Sequence, residues 1–291
     1  MCPASNDVAR ESEFLALPAR DGVTPAIISQ FEQLMWCYYQ DYGRKFPWRQ
    51  TDNPYHILVS EIMLQQTQTS RVLHQYKPFI EAFPDFATLA ASPLIDVLKA
   101  WQGLGYNRRA VALHRIAHRV VDDFNGELPS SAQLLQRLPG IGPYTASALQ
   151  AIAFNRPVVF IETNIRAVFI FFFFHQREVV TDKDISHLVD ATLDRTNPRE
   201  WYYALFDYGA MLKKRMKLSE RSAHYTKQSV FKGSNREMRG RILRTLLVSS
   251  PMAEGKLIEE VQGSPAQIKR NIELLQKEGF LAVTRNMVSI T

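Results

Sequence analysis

Leu138-Pro139-Gly140-Ile141-Gly142-Pro143-Tyr144-Thr145-Ala146 is the stretch on which the reading of this chain turns. A short helical pattern over 131–138 enters it, and a second over 144–153 leaves it. Gly140 and Gly142 permit positive φ and let another backbone come close. The N–H groups of such a turn, and of the helix that follows, then face outward with the helix dipole behind them. That makes an anion site without any side-chain charge. An ordinary helix–turn–helix connection with a glycine stop would use the same residues. The full hairpin with both flanking helices favours phosphate.

Outward from the turn, apolar residues recur at helical spacing from about residue 28 to about 228. Ile28, Phe31, Leu34, Met35 and Tyr38 share one face. The run 60–83 reads as one long helix broken near Pro78, and helices follow over 94–101 and 107–124. Alternating strand patterns are missing from this body, so it is all-α. Residues 1–27 read as a loosely ordered tail. Residues 229–291 differ: helical patterns over 239–248, 253–261 and 265–278 precede two short β-prone pieces around Arg285-Asn286. That order suggests a winged-helix-like module, with Lys269, Arg270 and Lys277 on its third helix.

The net charge of +6 suits an anionic partner only weakly. Its distribution says more. Between Lys213 and Arg244 stand eleven basic residues against Glu220 and Glu237 alone, a concentration suited to phosphate contact. Two cysteines, Cys2 and Cys37, make neither a disulfide framework nor a CxxC pair. A reducing, cytoplasmic setting is the expectation, nucleoid-associated if the source is bacterial. The longest apolar run, Ala167 to Phe174, is too short to span a bilayer.

Two acids stand where chemistry is plausible. Glu61, in Ser60-Glu61-Ile62-Met63-Leu64-Gln65-Gln66-Thr67-Gln68, reads as lying in the first turn of an apolar helix. There it is either a helix cap or a half-buried acid able to protonate a base. The uncharged amides that follow could fill the gap left by an extruded base. Glu162, in Ile161-Glu162-Thr163-Asn164-Ile165, is either an N-cap or a carboxylate held at a helix N-terminus for catalysis, and the residues alone favour the cap.

Taken together with Trp48-Arg49, Asn53-Pro54-Tyr55 and Ala204-Leu205-Phe206-Asp207-Tyr208-Gly209-Ala210, these motifs stand in the order and spacing of the helix-hairpin-helix DNA glycosylases. The chain resembles the branch that holds endonuclease III and the MutY adenine glycosylases, over roughly residues 28–215. The resemblance implies a fold of two helical lobes and a DNA base-excision repair enzyme that flips out a base and hydrolyses its N-glycosidic bond. Mispaired adenine, opposite G or 8-oxoguanine, is the lead substrate. It implies catalytic roles for Glu61, Glu162 and Tyr144, a base pocket lined by Arg44 and Leu64, and DNA contacts by Gln66, Gly140, Gly142, Lys213, Lys214 and Arg215. The partner is double-stranded DNA with a mispaired or damaged base, and the protein is expected to act as a monomer.

The sequence departs from that family in several places. Its usual aspartate is Glu162 here. Tyr144 stands where bifunctional members carry a Schiff-base lysine, so the enzyme is expected to be monofunctional. Tyrosine there also fits mismatch thymine or uracil glycosylases, a second reading of the substrate. The four cysteines of the family's iron–sulfur cluster are missing after Leu212, so no cluster and no other metal is expected. Tyr203 stands where many relatives have an acid or amide. A non-catalytic DNA-binding protein on the same scaffold is the alternative from another class.

Overall fold

A computed structural model describes residues 11, 14, 15, 23–225 and 230–291 of the 291-residue chain. In order, its elements are α1 (Pro25–Tyr42), α2 (Pro54–Leu64), α3 (Thr69–Ala82), α4 (Phe86–Ala91), α5 (Leu94–Ala100) and α6 (Arg108–Phe124). Then come α7 (Ala132–Leu135), α8 (Pro143–Ile152), α9 (Thr163–Phe173), α10 (Asp182–Ala191) and α11 (Pro198–Arg215). The C-terminal part is α12 (Asn235–Val248), β1 (Met252–Ala253), α13 (Glu254–Glu260), α14 (Pro265–Lys277), β2 (Leu281–Thr284) and β3 (Met287–Ile290). The chain forms two compact units. One comprises Met1–Ile57, Ser130–Gln136 and Ile141–Lys227, the other Leu58–Pro129, Arg137–Gly140 and Gln228–Thr291.

The first unit is organised by the apolar run that sequence alone leaves as helix or strand. It forms α9, which buries Ile165, Ala167, Val168, Phe169, Ile170, Phe171 and Phe172. A helix apolar on all sides must be covered on all sides. Helices α1 and α11 supply much of that cover. Phe31 on α1 meets Phe169 and Phe172 at 5.4 Å between ring centroids and Trp201 on α11 at 6.1 Å. Phe31→Ala would empty this centre at a cost of about 3–5 kcal/mol. The N-terminal stretch read as a tail lies mostly outside the described residues. Two of its members, Glu11 and Phe14, are buried in this unit.

In the second unit α3 to α6 close around Trp101, whose ring meets Phe79 edge-on at 5.8 Å. The expected single helix over 60–83 is two helices, and the break is not at Pro78. Pro78 sits inside α3, near its end, where the missing N–H costs only one ladder bond. The break falls at residues 65–68, between α2 and α3. Arg109 causes it by drawing the last carbonyls of α2 to itself, as described below.

The same unit holds the C-terminal module. Ile242, Leu246, Leu257, Ile268, Leu275, Phe280 and Val288 make its core, each close to fully buried. The strands pair antiparallel in the order β1-β3-β2, with Val283 opposite Val288. Arg285 and Asn286 both take positive φ, 51° and 64°, as a tight two-residue hairpin requires. Three helices and a terminal wing match the expectation from sequence.

Candidate active site

Glu162 caps α9. Its Oε1 accepts the backbone N–H of Asn164 at 2.6 Å and of Ile165 at 2.8 Å. Its Oε2 accepts from Thr163 Oγ1 at 3.0 Å and Asn164 Nδ2 at 3.1 Å. Two of the helix's orphan donors are thereby satisfied, with the dipole favouring the charge. Cap and catalytic group therefore need not exclude each other: a carboxylate so held has a fixed position and direction. Burial raises its pKa, opposed by the Ile165 N–H, the Lys213 ammonium, Thr163 and Asn164. Lys213 Nζ donates to Thr163 Oγ1 at 3.2 Å.

In the same unit Arg44 is anchored by a residue the sequence reading missed. Asp207 is 2% exposed. Its carboxylate accepts the Arg44 backbone N–H and Nε, both at 2.7 Å, and a two-toothed contact from Arg49 at 2.9 Å per bond. Arg49 also lies over the Tyr203 ring, 4.3 Å from its centroid, so Tyr203 is part of this packing. The available signal was an acid in a helix otherwise apolar around it: such a charge must find cations once buried. Arg215 is bonded to Glu11 at 2.9 Å, whereas Lys214 is exposed.

In the second unit Glu61 is half-buried. It is not in the first turn of its helix. Helix α2 begins at Pro54, so Glu61 stands seven residues in, towards the negative end of the dipole. The helix-cap reading of this residue falls with that. Leu64 closes the helix. Gln66 follows on an exposed turn with φ of 53°, a left-handed conformation that a glutamine holds only under constraint.

That constraint is Arg109, also missed from sequence. Its Nη1 donates to the carbonyls of Ile62, Met63 and Gln65 at 2.9, 2.8 and 2.6 Å. Its Nη2 donates to Thr67 Oγ1, Leu104 O and Gly105 O at 2.9, 3.2 and 3.0 Å. The guanidinium thus caps the C-terminus of α2 with a full positive charge. Burial pulls its pKa down to about 10, and it remains charged at neutral pH.

The glycine turn is built as expected in one glycine and not in the other. Gly140 has φ of +80°; Gly142 is extended, with φ of −86° and ψ of 177°. A Cβ at Gly142 would meet nothing within 4 Å. As N-cap of α8, Gly142 offers no side chain to the helix, and Pro143 fills the first position. No side chain of the cap itself reaches the N–H groups of the opening turn. Tyr144 stands 45% exposed at this end, its ring edge-on to Phe160 at 5.9 Å.

Residues 59–192 match the HhH-GPD superfamily of base excision DNA repair proteins. The chain is 32% identical over 277 residues to the adenine DNA glycosylase of Mycolicibacterium smegmatis, covering 88% of this chain and 94% of that one. The chain belongs to this family. Two further relatives are adenine DNA glycosylases, of Buchnera aphidicola (37% over 187 residues) and Mycobacterium tuberculosis (40% over 153). Those alignments cover 62% and 52% of this chain, which spans about half the length of either, 52% and 50%. Among solved structures, a thermostable thymine-DNA glycosylase superposes with a TM-score of 0.56 at 24% identity, over 68% of this chain and 96% of that one. An endonuclease III bound covalently to DNA gives 0.51 at 20% identity, over 72% and 91%. These two likenesses concern the fold, which is that of the helix-hairpin-helix glycosylases.

Within the HhH-GPD match lie Glu61, Leu64, Gln66, Arg109, the glycine turn, Tyr144 and Glu162. Arg44, Asp207 and the cations from Lys213 to Arg215 lie outside it. The family's late helix nevertheless has a visible purpose here, since α11 supplies both Asp207 and the Lys213 contact next to Glu162.

Proposed function

We propose that this chain is a monofunctional DNA N-glycosylase that extrudes adenine mispaired with G or 8-oxoguanine and hydrolyses its bond to the sugar. Reaction needs the base out of the stack, a proton on the leaving base and a negative charge facing the oxocarbenium-like sugar. We assign the proton to Glu61 and the counter-charge to Glu162. The base departs with the electron pair of the glycosidic bond and the proton from Glu61; water then bonds to the anomeric carbon and releases a proton to solvent, leaving the hydroxyl. Gln66 fills the space left behind, Arg44 and Leu64 line the base, and Tyr144 shapes the pocket or positions the water. The turn at Gly140 to Gly142 receives a phosphate, aided by Lys213, Lys214 and Arg215. We place this chemistry in residues 28–228 of a protein acting as a monomer on double-stranded DNA, in the cytoplasm and without a metal.

The match to the M. smegmatis adenine glycosylase, along nearly all of that relative, carries the adenine reading. The hold on Glu162, four donors around one carboxylate, supports an enzyme rather than a retired scaffold. The test is a panel of duplexes with A opposite 8-oxoguanine, A opposite G, T opposite G, U opposite G, and hypoxanthine, each treated with alkali after incubation. Breaks confined to the adenine duplexes are expected. Breaks opposite guanine at thymine or uracil would move the substrate, and no breaks with intact binding would leave a DNA-binding protein.

A further inference from the structure

Helix α6 carries a row of cations. Arg108, Ala112, Arg115 and Arg119 are spaced four, three and four residues apart, which puts them on one side. The three arginines are exposed. Along this side runs a cavity of about 540 Å³, bounded by Arg108 and Arg115, by Pro139 and Gly140 of the turn, and by Lys277 and Phe280 of the C-terminal module. A second cavity, of about 370 Å³, shares Arg115 and Pro139 with the first and continues past His118, Arg119 and Arg137. Together they form one trough.

Its charge is one-sided. The acid on its wall, Glu278, is held by both arms of Arg239 at 2.7 and 2.6 Å, and that contact keeps its carboxyl below the usual range. Arg119 has Asp123 beside it, an exposed pair worth little. The joint between module and helix is a built one. Arg115 Nη2 donates to the Glu278 carbonyl at 2.9 Å, and Gly279, at φ of +77°, leaves room where a Cβ would strike that guanidinium. On the module's other side Arg236 Nη1 donates to the Tyr106 hydroxyl at 2.6 Å. Arg108, Arg115, Arg119, Arg137 and Lys277 along one trough repel each other unless an anion lies between them.

We propose that the trough is a track for the phosphates of one DNA strand, leading from the Gly140 turn onto the C-terminal module, which is thereby a second DNA-binding element. The inference rests on the glycosylase reading for its ligand. From Arg108 to Arg119 the helix rises about 16 Å at 1.5 Å per residue, long enough to face several consecutive phosphates of one strand. A row of cations along one face of a helix suits a polyanion, and the positive-φ turn at Gly140 borders the same cavity.

The test is the salt dependence of binding to a duplex carrying A opposite G, for the full chain and for Arg108→Gln, Arg137→Gln and Lys277→Gln. Each is an exposed residue, and thermal melts check that each variant folds. Lys256→Gln and Lys269→Gln, on the module but not on the trough, are the controls. Each trough variant is expected to lower the log–log slope by about one unit, with both controls unchanged. A steep slope in the parent that survives in all three variants would overturn the track while leaving the glycosylase reading intact; the trough would then face something else, such as an acidic protein. A parent with no salt-dependent binding would overturn both.

Discussion

Gly209 and Asn164 touch backbone to backbone: a Cβ on Gly209 would stand 2.6 Å from the Asn164 carbonyl carbon and 2.7 Å from its Cβ. Helices α11 and α9 therefore approach as closely as they do because position 209 has no side chain. The consequence reaches Glu162, which caps α9 two residues before Asn164. Gly209→Ala should force the helices apart at a cost of about 3 kcal/mol, as overpacking does. It should also lower single-turnover excision about 100-fold by shifting the carboxylate. Denaturation midpoint and excision rate are the two measurements, and parental values for both would mean that the contact is slack.

Arg109 gives a second prediction. Lysine keeps the charge but cannot reach six oxygens from one planar group. Arg109→Lys and Arg109→Gln should each lose about 3 kcal/mol in urea unfolding at constant m-value, because buried carbonyls are left without donors. Gln66→Ala should leave stability almost unchanged and slow only the step in which the base leaves the stack. A Gln66→Ala loss as large as that of Arg109→Gln would mean that the turn is stabilised by its own side chain.

Asp207→Asn should cost about 3 kcal/mol or more, since it leaves two guanidinium groups facing an amide that neutralises neither. Arg44 should then lose its direction as well as its partner, and KM for an adenine duplex should rise with it. Retention of both stability and KM would remove Asp207 from the support of the site.

The fold was legible where residues repeat at a fixed spacing, whereas the site residues were nominated by residue type and resemblance. Most helices, the positive φ of Gly140 and the terminal wing follow from pattern, whereas the extended Gly142 does not. What pattern missed was set by partners far away in sequence. Arg109 looks like any surface arginine until the carbonyls of 62, 63 and 65 are found around it. Asp207 needs Arg44 and Arg49, some 160 residues earlier, to be readable as a buried anion. The misplaced break at Pro78 has the same root. Proline is a local signal, and a distant arginine outweighed it. The basic row on α6 was lost because its cations are spread over 12 residues and share a face, not a segment.

On the proposed function, Tyr144 bears on the chemistry after excision. A phenol cannot form an imine with the opened sugar. Borohydride added during turnover should trap no covalent protein–DNA complex, and strand breaks should need alkali. We also expect iron well below stoichiometric amounts, since two cysteines cannot supply four thiolates. A trapped complex would point to another amine.

The last prediction separates the two duties of Glu162 by pH. Its pKa is raised, burial being the largest cause. On the proposed mechanism excision needs the carboxylate, so the single-turnover rate should fall as pH drops through a value above the usual glutamate range. Stability should respond in the opposite sense. Over the window between the unfolded and the raised folded pKa, the folded state binds more protons, so the contribution of Glu162 to stability declines as pH rises. Lys213→Gln removes a cation that favours the charged form. It should move the acid limb of the rate to higher pH, whereas mere loss of a phosphate contact would lower the salt slope and leave the limb in place. Glu162→Gln should abolish both pH effects and excise at least 100-fold more slowly, because a neutral amide cannot oppose the developing positive sugar. Glu162→Asp is expected to keep the cap, since a shorter carboxylate at an N-cap reaches the same two N–H groups that Oε1 now accepts from. Its excision rate should stay within about tenfold of the parent. A greater loss with an intact cap would mean that the site is fitted to the longer side chain, and full activity in Glu162→Gln would leave the residue as a cap alone.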